Sequence, residues 1–145
     1  MKKRRILTAL IVLNLAYIWG NSAMDGTNSS NVSGGVMAFL ARFLPFLAGE
    51  AGHHFVRKAA HFSEFACLGL LSGWRMNLSG GMKPWLLGFG LAVACIDETI
   101  QIYVPGRASS LLDVWIDTSG FAVGMILLLI GYTIYKKRKL RRNTL

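Results

Sequence analysis

The sequence predicts an all-α fold: a small polytopic membrane bundle of four transmembrane helices with one short interfacial or re-entrant segment. Apolar residues make up 53% of the 145 residues and charged residues only 16%, whereas an ordinary soluble domain is about 25% charged. Four apolar runs approach the roughly 20 residues that a helix needs to cross a bilayer. A soluble chain of this length could not bury so much apolar surface, so we expect a single integral membrane domain over residues 1–145.

The four predicted spans are separated by turns or by polar segments. The first covers residues 6–19 and extends at most to residue 24, and the others cover residues 55–74, 85–104 and 111–135. The first run also has the basic start and short apolar core of a signal peptide. Its cleavage-site pattern is weak, which favours a helix that stays in the protein.

Two further segments lie between the first and second spans. Residues 20–35 are rich in glycine, serine and asparagine, a composition that predicts a loop. Residues 36–48 contain Arg42 and Pro45 among aromatic and aliphatic residues. This stretch is too short to cross a bilayer, so we expect it to be interfacial or re-entrant.

The basic residues are concentrated at the two ends of the chain. Ten of the sixteen lie in residues 2–5 and 136–142, each cluster beside an apolar run. A nucleic-acid binder spreads its basic residues over a folded face, so no nucleic-acid partner is expected. Basic clusters beside membrane spans mark the cytoplasmic side. Both termini are therefore expected in the cytoplasm, in agreement with four crossings.

Ionisable and amide side chains interrupt three of the predicted spans at helical spacing. Each ionisable group costs about 2.5–3.5 kcal/mol near the centre of a bilayer, and such groups are functional by default. With both termini in the cytoplasm, these residues fall in the outer halves of their spans, level with the turn that joins the third and fourth. They predict one polar pocket open to the extracytoplasmic side. The residues expected to line it are Lys58, His61, Glu64, Asp97, Glu98, Gln101, Arg107, Ser109, Asp113 and Asp117.

Three of these residues are candidates for catalysis, and the other seven for substrate binding. His61 is the candidate general acid or base, and Asp97 and Glu98 form a candidate carboxylate pair. Arg107, helped by Lys58, is expected to hold a phosphate or carboxylate group. A divalent metal held by His61 and the carboxylates is the less favoured alternative, because no ligand motif occurs, and no cofactor is expected.

A structural interpretation of the same residues stays open. The charged groups could pair within the bundle, and the protein would then be a non-catalytic interaction or accessory protein. Polar contacts between membrane helices contribute only about 0.6 kcal/mol each on average, less than the insertion cost, which favours a functional pocket. Gly120 and Gly124, four residues apart, are expected to serve close helix packing.

Two blocks of residues resemble the VanZ-like family of bacterial membrane proteins. The first is R-K-A-A-H-F-S-E-F at residues 57–65. The second begins with D-E-x-x-Q at residues 97–101 and continues through G-R and S-S to D-T-x-G at residues 117–120. The resemblance covers residues 57–124, with Phe65 where many members carry tyrosine.

This resemblance implies a small multi-pass protein of the bacterial inner membrane. The family is linked to resistance against glycopeptide antibiotics such as teicoplanin. The implied partners are membrane lipids, a lipid-linked cell-wall intermediate or an amphiphilic antibiotic.

Overall fold

The computed structural model describes residues 1–45 and 49–143. Within these residues the chain forms α-helices joined by turns, with no β-strand, which confirms the all-α fold class. The helices are α1 (Lys2–Ser22), α2 (Gly26–Ala41), α3 (Glu50–Asn77), α4 (Trp85–Ile102) and α5 (Leu111–Asn143).

Helix α2 corrects the prediction of a loop over residues 20–35. The side chain of Asp25 accepts a hydrogen bond from the backbone N–H of Asn28 at 2.9 Å, which caps the start of the helix. The same bond lowers the pKa of the Asp25 carboxyl group. The predicted interfacial segment is divided: residues 36–41 belong to α2, and residues 46–48 lie outside the described residues.

Only two of the described helices, α4 and the Leu111–Arg142 part of α5, are long and apolar enough to cross a membrane. Four crossings are therefore not confirmed. Helix α3 has the length, but Arg57, Lys58 and Glu64 interrupt its apolar character.

The bundle has an apolar core around Ile18, Phe65, Leu68 and Phe121, but it also buries charged side chains and exposes many large apolar ones. Asp97 and Asp117 are fully buried, whereas Ile126, Leu127 and Ile130 of α5 are each more than half exposed. A water-soluble protein has the opposite arrangement. Lipid chains solvate such an apolar exterior, and the buried polar groups then meet one another inside the bundle.

Helices α3 and α5 approach each other through glycines. A β-carbon at Gly69 would collide with the carbonyl of Phe121, one at Gly120 with the carbonyl of Phe62, and one at Gly124 with that of Ala66. The prediction that Gly120 and Gly124 serve packing is confirmed. This contact sets the polar residues of α3 directly against those of α5.

The two ends of the bundle differ in chemistry. At one end Arg4 donates to the carbonyl of Leu78, and Arg75 donates to Thr8 and Ser79. The other end gathers the end of α1, the first half of α3, the end of α4 and the start of α5. All the ionisable residues that interrupt the predicted spans lie at this second end.

Candidate functional site

Three side chains from three helices meet at the centre of the polar end. His61 of α3, Asp97 of α4 and Asp117 of α5 each present a nitrogen or oxygen atom, and these atoms lie within 4.8 Å of one another. His61 Nδ1 is 3.8 Å from Asp97 Oδ2, too far for a hydrogen bond. The predicted convergence of the three helices is therefore present in the structure.

Asp97 is held by neighbours on α1 and on its own helix. The hydroxyl of Ser22 donates to Asp97 Oδ1 at 2.7 Å, and Gln101 Nε2 donates to Asp97 Oδ2 at 3.1 Å. Gln101 Nε2 also lies 3.1 Å from Glu98 Oε1, and the N–H of Ser110 donates to Glu98 Oε2 at 2.8 Å. Both carboxylates of the predicted pair are thus fixed in position by donors.

Other buried polar atoms of the site lack a hydrogen-bond partner among the described residues. They include both carboxylate oxygens of Asp117, Nδ1 of His61 and Oε2 of Glu64. Buried polar groups are normally paired, and an orphan group in a protein interior costs free energy. These atoms are the ones left available to a ligand.

Lys58 and Asp113 form a salt bridge at 2.7 Å and are only partly buried. They lie with His61 and Asp117 along a crevice of about 10 Å³ between α3 and α5. Lys58 and Asp113 therefore pair with each other within the bundle, as the structural interpretation of the charged residues expects.

Arg107 lies in the turn between α4 and α5, where Gly106 has a φ of 74°. Its Nε donates to the carbonyl of Met24 at 3.2 Å, and its Nη2 donates to the carbonyl of Asn21. These bonds use two of its five N–H donors. Burial, and then the charge of Arg57, lower the pKa of the Arg107 guanidinium from its ordinary value.

A cavity of about 190 Å³ opens between α1, the start of α3 and the turn after α4. Arg57 and Arg107 both line it, together with His61 and Glu64. Among the described residues, no carboxylate oxygen lies within the 4.0 Å of a salt bridge from either guanidinium. Neither guanidinium therefore forms an ion pair with the described residues, although the carboxyl group of Glu64 lines the same cavity.

Nine of the ten predicted site residues lie at the polar end, but in or beside two cavities that share His61 instead of the single predicted pocket. Ser109 is the exception, because its side chain is exposed in the turn and the backbone of Ser110 makes the contact to Glu98. The sequence interpretation missed Asn21 and Ser22, and it did not assign Arg57 to the pocket although the helical spacing puts Arg57 on the face of His61. Asn21 donates to Glu64 Oε1 at 2.9 Å. The sequence did indicate Asn21 and Ser22 weakly, since they are polar residues at the end of the apolar run of α1.

A helical bundle with an apolar exterior, a buried set of carboxylates and two helices long and apolar enough to cross a bilayer favours a membrane protein. The sequence profile of the VanZ/LLP1 family matches residues 6–134. The chain therefore belongs to the VanZ/LLP1 family, as its motifs predicted. The match includes α1, beyond the 57–124 region that the motifs covered. No curated protein and no solved structure matches the chain.

Proposed function

We propose that the cavity binds the anionic group of an amphiphilic molecule of the cell envelope. The observation that carries this proposal is the pair Arg57 and Arg107, which line one cavity without a carboxylate within salt-bridge distance among the described residues. Two neighbouring like charges destabilise each other. An anion between them removes that repulsion, and the planar guanidinium matches phosphate or carboxylate oxygens.

The remaining lining of the cavity favours a ligand with an apolar part. Tyr17, Val36 and Val56 contribute to the wall, and the surrounding helix surfaces are apolar. The acyl or prenyl chain of a lipid would remain in the bilayer while its head group enters the cavity. Candidate ligands are a membrane lipid, a lipid-linked cell-wall intermediate and an amphiphilic antibiotic of the teicoplanin type.

His61 separates the anion cavity from the buried carboxylates, since it lines both the cavity and the crevice that reaches Asp117. A reaction on the bound ligand would use His61 to move a proton, with Asp97 and Glu98 stabilising its charge. Binding of the ligand without a reaction does not need His61 beside these carboxylates. The accessory-protein alternative, favoured by the Lys58–Asp113 salt bridge, predicts no selectivity among lipids.

Native mass spectrometry of the purified protein tests the proposal. We expect phosphatidylglycerol to be retained in preference to phosphatidylcholine with the same acyl chains. Arg57→Gln should reduce this retention by about tenfold or more, since a hydrogen bond to a charged group contributes about 1.5–3 kcal/mol. Arg5→Gln is the matched control, because Arg5 is exposed at the other end of α1.

Equal retention of the two lipids by the wild-type protein would contradict the proposal. So would an equal loss in the Arg57→Gln and Arg5→Gln variants, because general surface charge would then explain the binding. Lipid-linked intermediates co-purified from cells can be identified in the same spectra.

We further propose that α1, α3, α4 and α5 cross the membrane, with both termini in the cytoplasm and the polar end outside. The helix directions support this, since successive crossings alternate and return both termini to one side. Arg4, Arg75 and Lys83 lie at the same end as the amino terminus. This distribution agrees with the excess of basic residues on the cytoplasmic side of membrane proteins.

Cysteine accessibility in a Cys67→Ala/Cys95→Ala background tests the orientation. Ala108→Cys, in the turn after α4, should react with a membrane-impermeant maleimide in intact cells. Lys83→Cys, in the turn before α4, should react only after permeabilisation. Both positions are exposed in the structure, so labelling of both from the same side would contradict the orientation.

A further inference from the structure

We infer that His61, Asp97 and Asp117 form a binding site for a divalent first-row metal ion. Each of the three offers one ligand atom, and the three atoms lie within 4.8 Å of one another. Ligands of a single tetrahedral ion are about 3.4 Å apart for bonds of about 2.0–2.1 Å. The separation of 3.8 Å between His61 Nδ1 and Asp97 Oδ2 is close to this spacing, and the three atoms draw together when they bind one ion.

The strongest indication is Asp117. Its side chain is completely buried, and neither carboxylate oxygen has a hydrogen-bond partner among the described residues. His61 Nδ1, which faces the same point, is also without one. When Asp117 is ionised and His61 Nδ1 carries no proton, their converging lone pairs repel one another, and a bound cation removes that repulsion.

The surroundings of Asp97 have the form expected around a metal ligand. Ser22 and Gln101 each donate a hydrogen bond to this carboxylate, which fixes its orientation and leaves lone pairs for coordination. Ligating carboxylates are commonly held in this way, and such supporting residues affect metal affinity strongly. Asp97 is the only one of the three ligands with this support among the described residues.

The net charge of the side chains around the proposed metal site and its two neighbouring cavities fits a doubly charged ion. Five carboxylates and three cationic side chains line the cavity, the crevice and the ligand triad. The formal excess is two negative charges when all five carboxyl groups are ionised and His61 is neutral. The carboxylates are Glu64, Asp97, Glu98, Asp113 and Asp117, and the cations are Arg57, Lys58 and Arg107.

The site also has a suitable size for an ion, and a crevice leads to it. The crevice beside His61 and Asp117 has a volume of about 10 Å³, which suits a single small ion. The partly exposed Lys58–Asp113 pair lies along it and marks the side from which an ion enters. No local sequence motif signals the site, because its ligands come from three different helices.

The ligand set selects the class of metal. One imidazole with two carboxylates suits Mn²⁺, Fe²⁺ or Zn²⁺ better than Mg²⁺ or Ca²⁺, which prefer oxygen ligands alone. Three protein ligands leave coordination positions for water or for an oxygen of a ligand. The metal site does not depend on the proposed anion binding, although the two sites share His61. An imidazole that holds a metal ion is not free to act as a general acid or base, so the metal site replaces that role of His61.

Electron paramagnetic resonance can test this inference. The full-length protein is stripped of metal with a chelator, held in nanodiscs and titrated with Mn²⁺. We expect one Mn²⁺ per chain, displaced by Zn²⁺. His61→Gln and Asp117→Asn should each weaken binding by about tenfold or more. The matched controls His54→Gln, at an exposed histidine of α3, and Asp25→Asn, at the α2 cap, should bind as the wild type does.

A second measurement needs no variant and so does not depend on the folding of one. Electron spin-echo modulation from bound Mn²⁺ should show coupling to a histidine nitrogen, and should change when the protein carries ¹⁵N-labelled histidine. Absence of stoichiometric binding, or of nitrogen coupling, would overturn the metal site. The lipid measurements with Arg57→Gln, repeated in chelator, show separately whether anion binding fails.

Discussion

Replacing Gly124 by valine is expected to prevent accumulation of the folded protein. A β-carbon at this position would collide with the backbone carbonyl of Ala66, and it would also crowd the N–H of Leu70. Backbone atoms cannot turn aside as a flexible side chain can, so α3 and α5 must separate. Overpacking costs about 1–3 kcal/mol and occasionally more. We expect a value above this range, because the whole helix–helix contact is displaced.

Fluorescence-detected size-exclusion chromatography of the detergent-solubilised variants measures this effect. Gly131→Val is the matched control, because Gly131 lies on the same helix and a β-carbon there meets no heavy atom within 4 Å. The control should give a wild-type monodisperse peak, whereas Gly124→Val should give little or none. If the two variants behaved alike, loss of glycine from α5 would be the cause and close packing would not.

Replacing Arg107 by lysine is expected to abolish most of the selectivity for anionic lipid. Arginine donates to the carbonyls of Asn21 and Met24 and still has three N–H groups for a ligand. The single ammonium group of lysine cannot bond both carbonyls and also bind a ligand in the planar geometry of the guanidinium. We expect retention of phosphatidylglycerol to fall about tenfold or more, and the thermal midpoint to fall by a few degrees, as expected for about 1 kcal/mol.

The comparison with Arg57→Lys separates the two roles of Arg107. Arg57 makes no hydrogen bond to the described part of the chain and faces the same cavity, so lysine should preserve most of its contribution. Native mass spectrometry and thermal unfolding, run on both variants, give the selectivity and the stability. Full selectivity in Arg107→Lys would show that the planar guanidinium is not needed. A failure of this variant to accumulate would show a purely structural role.

Much of the fold could be predicted because apolar runs are the strongest signal in a membrane sequence. The runs located α1, α3, α4 and α5. Their ends differ, and α5 continues to Asn143 instead of residue 135. Backbone hydrogen bonding continues beyond the apolar stretch, through the basic residues. Hydropathy alone therefore marks where a helix can meet lipid and not where the helix stops.

Helix α2 could not be predicted from composition, since glycine, serine and asparagine disfavour helix as a group. One local and one tertiary contact fix the start of this helix: Asp25 caps it, and the N–H of Gly26 donates to the carbonyl of Pro105 at 3.0 Å. That partner is distant in the sequence, so no local pattern contains it.

The candidate site was predictable to the extent that helical periodicity applies. Spacing placed His61 and Glu64 near one face of α3, and Asp113 and Asp117 on one face of α5, and the structure brings these faces together. The contribution of α1 had only a weak signal in the sequence, the two polar residues Asn21 and Ser22 at the end of an apolar run, because serine and asparagine are common at surfaces. Only their burial against Asp97 and Glu64 reveals their role.

Three residues of the short turn between α4 and α5 form hydrogen bonds to other parts of the bundle. The carbonyl of Pro105 accepts from Gly26, Arg107 bonds to the end of α1, and the N–H of Ser110 bonds to Glu98. Surface loops ordinarily tolerate inserted or deleted residues. Here one added residue would shift at least one of these contacts out of register. We therefore expect relatives of this chain to keep the length of this turn, even where exposed side chains such as Ser109 differ.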